Sequence, residues 1–221
     1  MAANTDGKRE IVGLHIGPSE AEAFWATFLK SMVRRGLKGV KLVISDAHEG
    51  LKAAIRRVVG ASWQRCRVHW MRNALSYVPK GQQSMVSAAL RQAFIQPDRP
   101  SASQTLRHVA DQLRAKWPKL GAFIDESETD VLAHMDFPAQ HRSKIHSTDP
   151  LERLNKEVKR RADVVGIFPN EGAIIRLIGA VLLEANDEWQ LQHRYMQTEA
   201  MAEFTPPTLD VAPTQISTIA A

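Results

Sequence analysis

The sequence predicts an α/β fold in which a mostly parallel sheet is interrupted by a long all-helical segment. Three observations carry this prediction. Short apolar runs alternate with helix-period segments as far as Val68. Strand signal then disappears from Met71 to Ala133. Beyond Phe137-Pro138 only a short segment, Ser143 to His146, precedes two further helical patterns.

The elements follow in order. Asp6-Gly7 is hairpin-turn chemistry, and Glu10 to Ile16 is β-rich until Gly17-Pro18 ends it. Ser19 and Glu22 form a capping box that opens a helix. Phe24, Trp25, Phe28, Leu29 and Met32 recur on that helix at helical spacing, and Gly36 can end it in the left-handed conformation. Val40 to Ser45 reads as a strand, Glu49 to Val59 as a helix and Trp63 to Val68 as another strand. In the middle, Val86, Leu90, Ala93 and Phe94 make one apolar stripe, and Leu106, Val109, Ala110 and Leu113 another. Ser101 and Ser103 are candidate caps, and Pro97, Pro100 and Pro118 punctuate the helices. A helix starts at Pro150. Asn170 caps a last long one, roughly Glu171 to Gln190, whose Ile174, Leu177, Ile178, Val181 and Leu182 give a broad apolar face. Thr205 to Ala221 holds three prolines without periodicity and reads as a flexible tail.

Composition narrows the function. With 44% hydrophobic and 24% charged residues the 221-residue chain is globular rather than disordered. One cysteine, Cys66, excludes an internal disulfide. No run has the ~20 apolar residues that span a bilayer, and Met1 to Glu10 lacks the apolar run of a signal peptide. The net charge of +5 points weakly to a polyanionic partner. Neither a Gly-rich phosphate loop nor a GxSxG elbow is present.

Two carboxylates stand out. Asp46 lies where a strand ends and a helix begins, which is where open α/β sheets place chemistry, but Asp46-Ala47-His48-Glu49 also fits a helix cap. Glu152 is equally ambiguous, because Asp149-Pro150-Leu151-Glu152 is a good helix start needing no function. The helix after it carries five basic residues, Arg153, Lys156, Lys159, Arg160 and Arg161, against Glu157. They form either a solvated face or a surface for phosphates. Cys66-x-x-His69 suggests zinc, but a structural zinc needs about four ligands, and no other histidine completes the set.

Several motifs, taken together, go further. Leu42 to Leu51 around Asp46, Trp63 to His69, Pro150 to Arg161, Val164 to Asn170, Arg176-Leu-Ile-Gly-Ala and Asn186-Asp-Glu-Trp189 occur in one order. In this they resemble the Mutator-type transposases of bacterial insertion sequences. The resemblance implies an RNase H-like core with a DDE triad, using Mg²⁺ (or Mn²⁺) to cut and join DNA at terminal inverted repeats and in target DNA. It places Asp46 on the second Asp of the triad and Glu152 on its Glu, both as metal ligands. Cys66 and His69 fall on a C-x-x-H signature near the site, and Asn155 on the Glu-Arg-Leu-Asn motif. Arg153, Lys156, Lys159, Arg160 and Arg161 would hold the DNA backbone. Residues 8–70 and 140–190 would be the core, 71–139 the helical insertion, 191–204 a C-terminal extension and 205–221 the tail. A homo-oligomer without membrane association, in a bacterial cytoplasm at the nucleoid, is implied as well.

Two departures from the family pattern bear on activity. Asp149 stands where the family has Asn, which adds a negative charge near the site. The family's first Asp lies upstream of the Asp6-Gly7 turn, so the first strands, that Asp and an N-terminal DNA-binding region are expected to be missing, with Asp6 a poor substitute. Two function classes follow. One is a metal-dependent transposase. The other is a truncated, inactive remnant that binds DNA or co-assembles with a full-length copy.

Overall fold

Period-two alternation along one short strand sets the layering. The computed structural model describes residues 1–17 and 21–202. In it β3 (Leu42–Ser45) sends Val43 into a core with helices α1 (Glu22–Arg34) and α2 (Glu49–Val58), while Leu42 and Ile44 face a small cluster of Phe137, Ile145 and Met196. Strand β4 (Ser62–Arg65) pairs with β3 in parallel, Leu42 opposite Ser62 and Ser45 opposite Arg65, with α2 as the crossover. The first core is closed by Ala26, Leu29 and Met32 of α1 against Ala54 and Ile55 of α2. Helix α1 stops because Gly36 takes φ +106°, which lets the Leu37 amide return to the Met32 carbonyl.

The protein is mostly helical, and its second and larger core contains no strand. It is built from α3 (Arg67–Ser76), α4 (Gln83–Phe94), α5 (Arg99–Arg114) and α6 (Pro118–Val131). Both apolar stripes read from the sequence enter it. Trp70 is its centre: fully buried, stacked on Phe123, edge-on to Phe94, its indole N–H donating to Ser127 Oγ at 2.6 Å. Helix α5 starts at Asp98, whose carboxylate accepts the Ser101 amide, rather than at Ser101 or Ser103. Beyond a short turn, α7 (Ala139–Arg142), come α8 (Asp149–Val165), α9 (Glu171–Leu191), capped by Asn170 as expected, and α10 (Glu199–Ala202). Of the apolar face expected on α9, Val181 alone is buried, the rest being half-buried. Among the described residues no helix is long and apolar enough to cross a membrane.

Two strands differ from expectation, for reasons of hydrogen bonding. Glu10 to Ile16 is not a sheet strand. β1 (Ala2–Ala3) and β2 (Arg9–Glu10) form a separate antiparallel hairpin, and residues 11–17 have no ladder. Side chains meet their backbone instead, Asn186 accepting the Ile11 amide and Arg35 donating to the Val12 carbonyl, while Gln190 donates to the Arg9 carbonyl of β2. The hairpin turn needs Gly7, at φ +76°, because a side chain there would strike the Met196 carbonyl. The strand expected to reach Val68 stops at Arg65. Its partner ends at Ser45, whose carbonyl takes the Cys66 amide, and the Cys66 carbonyl then accepts Trp70 N–H and opens α3. The capping box at Ser19 and the tail from Thr205 lie outside the described residues.

Sheet and helical core are joined through Gln64. It is fully buried, its amide donating to the carbonyls of Arg65 and Val131 and its oxygen accepting the His134 backbone amide at 2.7 Å. His134 Nδ1 has only acceptors beside it, Gln64 Oε1 and the Val131 carbonyl, so Nδ1 carries the hydrogen of a neutral ring. Burial, and then the nearby charges of His146 and Arg67, lower its pKa to about 3 from the ordinary 6.5. Between those values the unfolded chain binds a proton that the folded chain refuses. The stability His134 contributes is therefore complete above about pH 6.5 and is lost as pH falls toward 3. His146 and His141, lowered mainly by burial, act with the same sign. Urea midpoints should drop from pH 7.5 to pH 5, and His134→Asn, which keeps a donor near Nδ1, should flatten that dependence. An unaltered slope would place the pH sensitivity elsewhere.

Candidate functional site

The end of β3 leaves Asp46 free of helix duty. The cap of α2 is His48, whose Nδ1 accepts the Leu51 amide at 3.1 Å, and not Asp46. Asp46 is instead turned toward α3, where its Oδ1 lies 2.6 Å from His69 Nδ1. The same nitrogen is 3.6 Å from Oε1 of Glu152 on α8. Two oxygens that close to one atom cannot lie farther apart than those distances laid end to end. A pair of residues remote in sequence thus meets at one point. The nitrogen itself is buried and aligned with neither carboxylate for a hydrogen bond.

Helix α8 presents Glu152 through Thr148, not through Asp149. Thr148 occupies the cap position without a capping side-chain bond, and Asp149 and Pro150 are the first two helical residues. The Thr148 hydroxyl lies 2.9 Å from Glu152 Oε1 and 3.2 Å from Cys66 Sγ, and the Thr148 amide donates to the same sulfur at 3.4 Å. The hydroxyl has one hydrogen, and the charged carboxylate is the better acceptor, so the thiol donates to the hydroxyl in turn. Cys66, fully buried at the end of β4, thereby ties strand to helix and aims Glu152. The spacing of Thr148 four residues before Glu152 was the available sequence signal, hidden by the stronger Asp-Pro helix start.

Asp46, Cys66 and His69 offer ligand atoms within 4.8 Å of one another, a cluster that could coordinate a metal ion. The other candidates divide. Arg153 and Lys156 line an open depression with Asp149 and Glu152. Lys159 is exposed and, among the described residues, has no ion pair. Arg160 and Arg161 both pair with Glu157, at 2.6 and 2.9 Å, and Arg161 also reaches Glu184. These hydrogen bonds, Arg160 first, lower the Glu157 pKa to about 2. Asn155 is exposed on the same helix. Asp6 is exposed in the β1–β2 turn, whose neighbours Thr5 and Gly7 bond residues 195–198, and is not part of the group around His69.

The profile of the family described as "Transposase, Mutator family" matches residues 1–192. The transposase for insertion sequence element IS1081 of Mycobacterium tuberculosis is 45% identical over 199 residues, covering 90% of this chain and 48% of that protein. The transposase for IS406 of Burkholderia multivorans is 40% identical over 198 residues, 89% of this chain and 51% of its own. That for IS256 in transposon Tn4001 of Staphylococcus aureus is 40% identical over 189 residues, 83% and 48%. The chain spans about half the length of the curated relatives it matches.

If Cys66 and Thr148 act as one unit, Cys66→Ala and Thr148→Val should each destabilise by about 1 kcal/mol. The double variant should lose less than both together, by about 0.5 kcal/mol or more. Strict additivity in urea unfolding would separate them.

Proposed function

The chain belongs to the Mutator family of transposases, and on that premise we propose that it carries part of a metal-dependent site that cuts DNA at insertion-sequence ends and joins it to target DNA. The observation that carries this reading is the convergence of Asp46 and Glu152 on His69. We read residues 8–70 and 140–190 as an RNase H-like core and 71–139 as a helical insertion within it.

The donor chemistry fits a hard divalent cation. Asp46 and Glu152 supply carboxylate oxygens, which Mg²⁺ or Mn²⁺ prefers, and their approach to one His69 nitrogen puts both within reach of a pair of ions about 4 Å apart. Cys66 is soft, buried and already engaged, so Asp46 and Glu152 would be the holders. The bound ion would supply Lewis-acid activation of the attacking and leaving oxygens at phosphorus. The remaining work falls to the chain. The Thr148 hydroxyl fixes the direction of Glu152, and His69 backs Asp46 from the protein side. Arg153 and Lys156, beside Glu152, hold phosphates of the DNA strand, and Lys159 extends that grip. Asn155 sits in the same motif.

A second reading is favoured by one feature: around His69 two carboxylates meet among the described residues, where a DDE site uses three. Under it the chain binds DNA, or co-assembles with a complete copy, without cutting. The two readings part in a nicking assay on labelled insertion-sequence ends with Mg²⁺ or Mn²⁺. The enzymatic reading expects nicking that falls about a hundredfold or more in Asp46→Asn and in Glu152→Gln. Binding without nicking supports the second reading. Nicking that survives both substitutions overturns the assignment of the site.

Duplex affinity should fall with salt. Replacing Arg153, Lys156 and Lys159 by Ala should flatten the log–log slope by about two to three units, roughly 0.9 for each phosphate no longer neutralised. Replacing Arg160 and Arg161 should change it by less, because Glu157 already holds both. The reverse order would put the DNA on the far end of α8.

A further inference from the structure

On the flank of α3 opposite His69, a groove of about 360 Å³ is lined by Arg67, Val68, Met71, Arg91, Phe94 and Ile95. Its charges are unusual. The Arg67 guanidinium is half-buried and lies over the Phe94 ring at 5.1 Å. Among the described residues it has no ion pair and no side-chain hydrogen bond. Arg91, on α4, stands close enough to repel it and is likewise without an ion pair. Asp149 attracts Arg67 only from beyond ion-pair distance. Arg67 and Arg91 line one groove over an apolar floor. Although Asp149 offsets more of the Arg67 charge than Arg91 adds to it, neither guanidinium is ion-paired among the described residues, so an anion seated between them would be stabilised by both. The floor is not closed over either, since Ile95 is 71% exposed.

We propose that this groove seats one unpaired nucleotide of the DNA strand engaged at Asp46 and Glu152, its phosphate between Arg67 and Arg91 and its base against Phe94 and Ile95. The inference rests on the DNA reading above and adds a site to it. Phosphate is the anion that a pair of guanidinium forks takes best, and an aromatic face with an aliphatic neighbour is a sequence-tolerant stacking platform. The volume lies at the small end of ligand sites. The placement also suits a strand. Arg67 follows Cys66 and Val68 precedes His69, so the groove and the histidine that the two carboxylates approach share the first turn of α3. The groove belongs to both parts of the protein: Arg67 stands just past β4, whereas Arg91, Phe94 and Ile95 come from the helical segment.

The test is fluorescence anisotropy of the purified chain with a labelled duplex, either blunt or extended by two unpaired thymidines at one 3′ end, at one salt concentration. The extended duplex should bind about tenfold tighter, in line with one stacked base. Arg91→Gln and Ile95→Glu, both at exposed positions, should erase that difference while blunt affinity stays within about threefold, the scale of a single phosphate contact. Replacing the two thymidines by abasic residues should erase it too. Equal affinity for blunt and extended duplex overturns the proposal and leaves an acidic protein segment as the occupant. So do variants that weaken both duplexes alike, or abasic extensions that bind as well as thymidine. Failure to bind either DNA overturns the DNA reading together with this one, whereas tight blunt binding without preference overturns this one alone.

Discussion

A buried carboxamide that must satisfy every hydrogen bond it can make governs how the two halves of this protein meet. Gln64 has no access to water, so its donors and acceptor have to be matched inside the fold. The Arg65 and Val131 carbonyls and the His134 amide do so, which fixes the exit of the helical segment against the end of β4. A half-buried ion pair, Lys52 with Asp130 at 2.6 Å, bridges α2 to α6 in the same region.

The position of the carboxylates follows from that joint. Two residues beyond Gln64, Cys66 leaves the strand, gives its carbonyl to α3 and its sulfur to Thr148. One turn is thereby connected to both sides. It carries His69 toward Asp46 and Glu152, and Arg67 toward the apolar floor made by Phe94. A shift of β4 by one residue would turn Gln64 away from Val131 and His134, because alternate strand residues point to opposite sides.

Electrostatics then grade the surface of α8. Near its start the carboxylates of Asp149 and Glu152 stand among Arg153 and Lys156. Near its end Glu157 takes up Arg160 and Arg161. Exposed pairs of this kind add little stability. Their consequence here is to leave the cations without an ion pair, among the described residues, closest to the carboxylates.

By itself the sequence determined the local elements whose signals lie within a few residues. These include the helix at Glu49, the cap at Asn170, both apolar stripes of the helical segment and the Gly36 stop. It also singled out Asp46, Glu152, Cys66 and His69 as residues of interest, through motif order. It misassigned hydrogen bonds that are made across long separations. The chain from Ile11 to Gly17 has strand-like residues, yet Asn186 and Arg35 take its backbone groups, and no local pattern records a partner some 175 residues away. At two helix starts neighbouring residues competed for one cap. Asp46 and Asp149 both satisfy the local rule for starting a helix, and only the fold shows that His48 and the Thr148 position serve there. Tertiary structure alone decided that the two carboxylates share one histidine and that Thr148 aims one of them, because proximity between distant segments is set by packing, which no short window of sequence contains.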